Sequence, residues 1–267
     1  MTPSLNATPI VVAPGIHKYP PCCAWFSMSI AFLAFMRGQT IKLNVFVRLS
    51  ATAELNYLKD VVFGKRVSRL ISVYSKEVDG VWFGVACDDE YKRVFGTNFG
   101  SNEKKVLQGL LGSLPKSIQF QRSEKISAFA ERVSGLLKKM YDGQEASVDF
   151  DLAMDYISEY TRKVMKVTCA IPLGYVASYG AVAKVAGGSA RAVGRVMATH
   201  PFPPILPCHR VVAYDFTLGG YGGGLASKAA FLRRESRVFD SEKEIVVAGK
   251  KLVVFPAEFA LKKVGRA

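Results

Sequence analysis

The sequence predicts an α+β protein: a small α+β N-terminal domain, then a mostly helical domain with a helix-turn-helix and a loop built on one cysteine. Three observations carry that expectation. Residues 67–99 alternate β-rich runs with turn dipeptides, the pattern of short strands. Residues 123–199 hold apolar residues at helical spacing behind serines suited to N-caps. Residues 205–212, Ile-Leu-Pro-Cys-His-Arg-Val-Val, set Cys208 beside His209 between a proline and a β-branched run.

Composition bounds the answer. A chain of 267 residues can bury a real core and suits two domains. With 49% apolar and 22% charged residues it reads as ordered and globular. The formal charge of +14 favours a polyanionic partner. Between Ser178 and Arg237, eight basic residues (Lys184, Arg191, Arg195, Arg210, Lys228, Arg233, Arg234, Arg237) stand against Asp215 and Glu235, an excess of +6 that reads as one basic face. Five cysteines, Cys22, Cys23, Cys87, Cys169 and Cys208, make no Cys-x-x-Cys pair and are odd in number. They suit a reducing compartment, the cytoplasm or, in a eukaryote, the nucleus. His17 with Cys22 and Cys23 is too thin a cluster to predict zinc, so no metal is expected.

Taken in order, residues 1–64 read as an N-terminal extension. Its mostly apolar run, residues 22–36, is 15 long, short of the ~20 that span a bilayer, and lacks a secretory pattern. No membrane partner is expected, and translation is expected to begin later, at Met28 or Met36. The small α+β domain covers 65–148. Residues 69–74, 81–87 and 93–99 are its strands, with turns at Asp79-Gly80 and Asp88-Asp89. Ser101 is expected to cap a short helix ending near 111. Ser123 should cap a longer one, with Ile126, Phe129, Ala130, Val133, Leu136, Leu137 and Met140 on one face and Gly143 past its end. Trp82, Phe83, Phe95 and Phe99 are assigned to the core rather than to base stacking.

The second domain, 149–240, opens with a helix capped by Ser158 and reaching about 170, with Tyr160, Val164 and Val167 inward. Pro172 and Gly174 end it. Residues 179–186, the Gly187-Gly188 turn and a helix over 189–199 capped by Ser189 have helix-turn-helix spacing. A strand at 211–213, a glycine-rich loop at 217–224 and a helix at 226–234 follow. Residues 241–267 read as a C-terminal extension, with a hairpin of 244–247 and 251–255 and then a polar, basic tail.

The chemistry centres on Cys208. A thiol attacks as thiolate, and a nearby imidazole is the usual means of forming it. Neighbours on a regular strand point to opposite faces, so Cys208 and His209 share a site only if the chain turns sharply, as Pro207 favours. Those residues alone fit a buried structural cysteine equally well. The 189–199 helix presents Ser189, Ala190, Ala192, Val193 and Gly194, all small. Major-groove readers use long polar side chains, whereas small ones suit close approach to a narrow groove, or tight packing on the first helix.

The surroundings decide between these readings. Ile171-Pro-Leu-Gly-Tyr-Val-Ala-Ser-Tyr179-Gly, Ala190-Arg191-Ala-Val-Gly194, Pro207-Cys-His-Arg-Val-Val212 and Gly219-Gly-Tyr-Gly-Gly-Gly-Leu225, with Lys228 and Glu235, follow one another in order. Over residues 158–236 they closely resemble the O6-alkylguanine-DNA alkyltransferases, the methylated-DNA–protein-cysteine methyltransferases. The resemblance implies DNA repair by transfer of an alkyl group from O6 of guanine, with O4 of thymine a further candidate, to Cys208. It implies one turnover per molecule, no cofactor, and a monomer bound to the minor groove of double-stranded DNA carrying O6-alkylguanine.

Residue by residue, the resemblance makes Cys208 the acceptor, His209 its base through a bridging water, and Glu235 the group that holds the imidazole. Arg191 would enter the duplex while the target nucleotide flips out, helped by Tyr179, which also donates to the base. Ser189, Ala190, Ala192, Gly194 and Arg195 would face DNA. The Gly222 N–H and the carbonyls of Cys208 and Val211, with Tyr221 and Gly223, would form the guanine pocket, braced by Lys228. One position departs: the family usually has Asn before the proline after the recognition helix, and here it is His200-Pro201. A histidine there is expected to bond across the turn to the cysteine loop. The main rival is a non-catalytic alkyltransferase-like lesion-recognition protein, but its known representatives lack the cysteine. A Cys-His-Glu hydrolase would have no use for Arg191 on a small-faced helix.

Overall fold

A computed structural model describes residues 70–264. The apolar run, the His17/Cys22/Cys23 cluster and the late start lie outside the described residues. Strands β1 (Leu70–Val78), β2 (Val81–Asp88) and β3 (Arg93–Gly100) form an antiparallel meander, each a little longer than predicted. The β1–β2 turn holds Asp79 and Gly80 at φ of 50° and 74°, as a tight two-residue hairpin requires.

Helix α1 (Glu103–Ser113) begins one residue later than predicted. Asn102, not Ser101, takes extended geometry and accepts the Lys105 N–H. Strand β4 (Gln119–Arg122) pairs parallel with β1 and was not predicted. Its four residues are all exposed, so it has no burial pattern to read. Ser123 therefore leaves a strand instead of capping a helix. Helix α2 (Ala128–Tyr141) is capped by Ser127, whose side chain accepts from the Ala130 N–H. Phe129, Ala130, Val133 and Leu137 are buried as predicted. Strand β5 (Asp151–Leu152) completes a five-stranded sheet, β4-β1-β2-β3-β5, so this sheet takes in residues beyond the expected boundary at 148.

Helix α3 (Glu159–Cys169) is capped by Ser158 as predicted. Strand β6 (Tyr175–Ser178) leads straight into α4 (Tyr179–Ala186), and α5 (Ala190–Thr199) follows a turn in which Gly187 and Gly188 have φ of 87° and 89°. Both helices have serine caps, Ser178 and Ser189. A tight 3-10 turn, Cys208–Arg210, precedes β7 (Val211–Val212), and α6 (Leu225–Glu235) closes this region.

The C-terminal extension is corrected on two counts. Residues 149–240 are mostly helical as expected, but the hairpin beyond them, β8 (Lys243–Val247) and β9 (Lys250–Pro256), joins their strands in a four-stranded sheet, β7-β6-β9-β8. Strand β9 pairs with β6, and Val247, Leu252 and Val254 enter the core with Val182, Val193 and Val196, so the hairpin is built in rather than appended. The basic tail is instead helix α7 (Ala257–Val264), seated through buried Ala257 and Ala260. Small alanines give such a helix a buried face with little hydrophobic signal in the sequence.

The two halves share a core. Phe202, Ile205 and Leu206, just before the cysteine, pack with Phe83, Val94, Phe129 and Leu137. Thr97 adds two bonds to the same segment, its N–H to Pro201 O and its hydroxyl to Pro203 O, both at 2.8 Å. The cysteine loop is thus laid against β3. Among the described residues no helix is long and apolar enough to cross a membrane.

Candidate active site

The sharp turn that Pro207 predicts is present: Cys208 N–H donates to Leu206 O at 2.8 Å and Arg210 N–H to Pro207 O at 2.9 Å. Cys208 is buried, 5% exposed. Burial pushes its thiol up to about 11, against the pull of the Lys228 ammonium and the Tyr221 phenol. The resting thiol is therefore neutral and needs a base.

His209 and Glu235, 26 positions apart, meet with Nε2 and Oε1 at 2.8 Å, both 2% exposed. Burial would raise the Glu235 pKa, but His209 and Arg210 outweigh it and hold the acid well below the usual carboxylate range. Burial lowers the His209 pKa against the opposing effect of Glu235, so the imidazole rests neutral. A neutral ring that donates Nε2–H to a carboxylate has its lone pair on Nδ1. That nitrogen is buried with no hydrogen-bond partner among the described residues, and so is the available base.

Two contributors escaped the sequence reading. Arg210, counted there as surface charge, grips Glu235 in a bidentate pair (Nε–Oε2 2.8 Å, Nη2–Oε1 2.9 Å) and donates Nη1–H to Ile171 O at 2.7 Å. Phe231 stacks on the His209 ring, centroids 4.6 Å apart at 22°, and is itself met edge-on by Phe99 and Tyr141 from the first half. The signal for Phe231 was available: Lys228, Phe231 and Glu235 follow the i, i+3, i+7 spacing of one helix face.

Lys228 is fully buried and donates Nζ–H bonds to Val211 O (2.6 Å), Leu218 O (2.5 Å) and, more weakly, Gly220 O (3.5 Å). It ties β7 to the glycine loop. Burial lowers its pKa to about 8, against the opposing effect of Cys208. The Tyr179 hydroxyl donates to Gly220 O at 3.3 Å, and its ring packs over Gly219, where a Cβ would lie 3.1 Å from the ring. Gly219 also has φ of 66°, so glycine is required there twice over. Tyr221 reaches Cys208, while Gly222 and Gly223 are exposed, with nothing within 4 Å of a Cβ at 222.

On α5, Ser189, Ala190, Arg191 and Arg195 are exposed and Ala192 and Gly194 half-buried. Val193 is fully buried and leaves the predicted small-residue face, because it faces the α4 core. The single basic face is corrected too. Lys228 and Arg210 point inward, and Arg234 lies over the Tyr141 ring, 4.0 Å from its centroid, leaving Lys184, Arg191, Arg195, Arg233 and Arg237 outside.

His200 is buried, 8% exposed, and its Nδ1 accepts the Phe202 N–H at 3.3 Å. The ring thus closes its own turn two residues on and does not itself bond the cysteine loop. Burial lowers its pKa to about 4. A cleft of about 290 Å³ lies behind this turn, lined in part by Phe95, Leu114, Thr199 and His200 and by none of Cys208, His209 and Glu235.

The family profile described as "6-O-methylguanine DNA methyltransferase, DNA binding domain" matches residues 159–237. That segment is similar to this family. The methylated-DNA–protein-cysteine methyltransferase of Methanothermobacter thermautotrophicus is 41% identical over 102 residues, 37% of this chain and 57% of that protein. Its counterpart from Pyrobaculum aerophilum is 55% identical over 65 residues, 24% and 44% of the two chains. The chain thus spans about half the length of these curated relatives. Among solved structures, the O6-methylguanine-DNA methyltransferase of Pyrococcus kodakaraensis strain KOD1 is similar at 29% identity, with 62% of this chain and 99% of that one covered and a TM-score of 0.48. The matched segment contains Tyr179, Arg191, His200, Cys208, His209, Lys228 and Glu235, whereas β8, β9 and α7 lie beyond it.

Proposed function

We propose that this chain repairs DNA by moving an alkyl group from O6 of guanine to Cys208, once per molecule. The observation that carries this reading is the buried Cys208 turn with His209 clamped to Glu235 through Nε2 and Nδ1 left as a base. His209, through a bridging water, takes the thiol proton as sulfur attacks the alkyl carbon. The S–C bond forms and the C–O6 bond breaks. Its electrons pass into the guanine ring, to which the Tyr179 hydroxyl donates a hydrogen bond; Glu235 balances the imidazolium, whose proton then passes to the released guanine. The thioether product has no route to hydrolysis, so turnover ends there. No cofactor takes part.

In this reading residues 159–237 are the DNA-binding and catalytic unit, and α4 and α5 its helix-turn-helix. Helix α5 lies in the minor groove, with Ser189, Ala190 and Arg195 against the backbone. Arg191 fills the space left by the flipped nucleotide. The glycine loop and the backbone of Cys208 and Val211 hold the guanine, and the protein acts as a monomer.

Intact mass after incubation with O6-methylguanine DNA is expected to rise by one methyl group, on Cys208, and the reaction to stop after one equivalent. Sustained turnover, or alkylation at Cys87 or Cys169, overturns the mechanism. Cys87 is the stricter control, since burial and then Asp89 hold its thiol protonated. Arg191→Ala should slow transfer from duplex DNA by about tenfold or more, since flipping costs a few kcal/mol and ~1.4 kcal/mol is tenfold in rate. Transfer from free benzylguanine needs no flipping and should be unchanged. Equal losses on both substrates would refute the role given to Arg191.

A further inference from the structure

We propose that the β8–β9 hairpin is a second DNA-contacting element, whose tip holds the phosphate backbone beside the α4–α5 turn. This rests on the proposed function and extends it to a part of the chain outside the methyltransferase segment.

The hairpin is fixed to the reading helices rather than tethered near them. Strand β9 is hydrogen-bonded to β6, the strand that feeds α4, with Tyr175 opposite Pro256 and Val176 opposite Phe255. The hairpin's inward side chains, Val247 of β8 and Leu252 and Val254 of β9, share one core with Val182, Ala183 and Val185 of α4 and with Val193 and Val196 of α5. Displacing the hairpin would open that core, so its tip keeps a set position relative to α5.

The tip lies where a phosphate contact is useful. Lys250 donates Nζ–H to Val185 O at 3.2 Å, in the last turn of α4. Val185 is two residues before Gly187 and four before Ser189, the cap of α5. Lys250 is thus within a helical turn of the entry to the helix that would enter the groove. One ammonium proton serves Val185, and the other two remain for an anion. Ala248 and Gly249 at the tip have φ of 51° and 75°, a tight turn with almost no side chain to hold a duplex away.

The charge is right as well. Lys184, Arg191, Arg195 and Lys250 are all exposed, and none has an ion-pair partner among the described residues. Lys251, next along, is paired with Glu244 across the hairpin at 2.9 Å, so Lys250 is the uncompensated cation. A duplex carries one negative charge per ~1.7 Å of axis, and cations flanking an inserted helix meet the phosphates on either side of the groove.

The test uses the full chain with Lys184→Gln, Lys250→Gln and the pair. Binding to undamaged duplex is measured across a salt series, alongside transfer from free benzylguanine. The pair is expected to weaken duplex binding by about tenfold near 0.15 M salt and to make the slope of log K against log salt shallower by about 1–2, since each phosphate contact contributes ~0.9. The benzylguanine rate should not change, because neither residue touches the site. Lys250→Arg, which keeps the charge, should bind as wild type. Unaltered affinity and slope in the pair overturn the inference while leaving the alkyl transfer intact. So does a loss that Lys250→Arg shares with Lys250→Gln, which would mark Lys250 as a helix brace only. Wild-type protein that does not bind duplex DNA at all overturns this inference and the proposed function together.

Discussion

Glu235→Gln is expected to slow transfer from free benzylguanine by about 10²–10⁴-fold, the usual worth of a general base, with the equivalent acid-to-amide change in a Ser-His-Asp triad at the upper end. Size is conserved, so the cause is chemical. The carboxylate accepts the His209 Nε2–H at 2.8 Å and leaves the lone pair on Nδ1. A glutamine amide can donate to Nε2 instead, which moves the ring proton to Nδ1 and removes the base. It also cannot balance the imidazolium that forms during the reaction. The variant should be less stable too. The Arg210 guanidinium would lose its anion in a largely buried setting, a loss of about 3–5 kcal/mol for a broken buried pair. The sign of the pH effect follows from the depressed acid. Its stabilisation is complete above the unfolded pKa of ~4.3 and declines as pH falls towards the lower folded value, so urea midpoints should drop in that acid range for wild type and less so for Glu235→Gln. A benzylguanine rate within threefold of wild type, from folded protein, would remove Glu235 from the mechanism.

Most of the site could be read in the sequence because short-range rules govern it. Pro207 favours the turn that brings Cys208 and His209 together, and serine caps mark α3 and α5 within a residue of their observed starts. What could not be read depends on partners far away in the chain. Strand β4 exists only because β1 offers it a parallel edge, and its own four residues carry no buried face. Arg210 looks like any basic surface residue until Glu235 arrives 25 positions later to receive it. The stack from Tyr141 through Phe231 to His209 joins both halves of the molecule, and no local pattern encodes such a contact. The hairpin was legible as β8 and β9 but its docking was not, since pairing with β6 is fixed by the shared valine core rather than by either strand alone.

His200→Asn is expected to make the protein more stable than wild type in mild acid while changing little at pH 8. The His200 ring is buried, and burial lowers its pKa to about 4. Unfolded chain binds that proton with a pKa of ~6.5. Between those values the unfolded state gains a proton that the native state refuses, so stability falls with pH at up to ~1.36 kcal/mol per unit. The loss begins near pH 6.5, reaches about 2 kcal/mol by pH 5 and about 3 kcal/mol near pH 4. Asparagine does not titrate, yet its side-chain oxygen can accept the Phe202 N–H that Nδ1 now accepts at 3.3 Å. His209 is also held neutral by burial and adds to the loss on the acid side, so the informative quantity is the difference between wild type and His200→Asn. Urea denaturation from pH 8 to pH 4.5 reads it directly. His200→Ala supplies the other half of the test: with the Phe202 N–H left unpaired it should lose about 1–3 kcal/mol even at pH 8, and should react more slowly with benzylguanine because the segment leading to Cys208 is less firmly held. Parallel stability–pH curves for wild type and His200→Asn would show that this ring does not titrate as its burial requires. A His200→Ala protein as stable and as reactive as wild type would shift the bracing of the cysteine loop to residues 201–204 and the two Thr97 bonds.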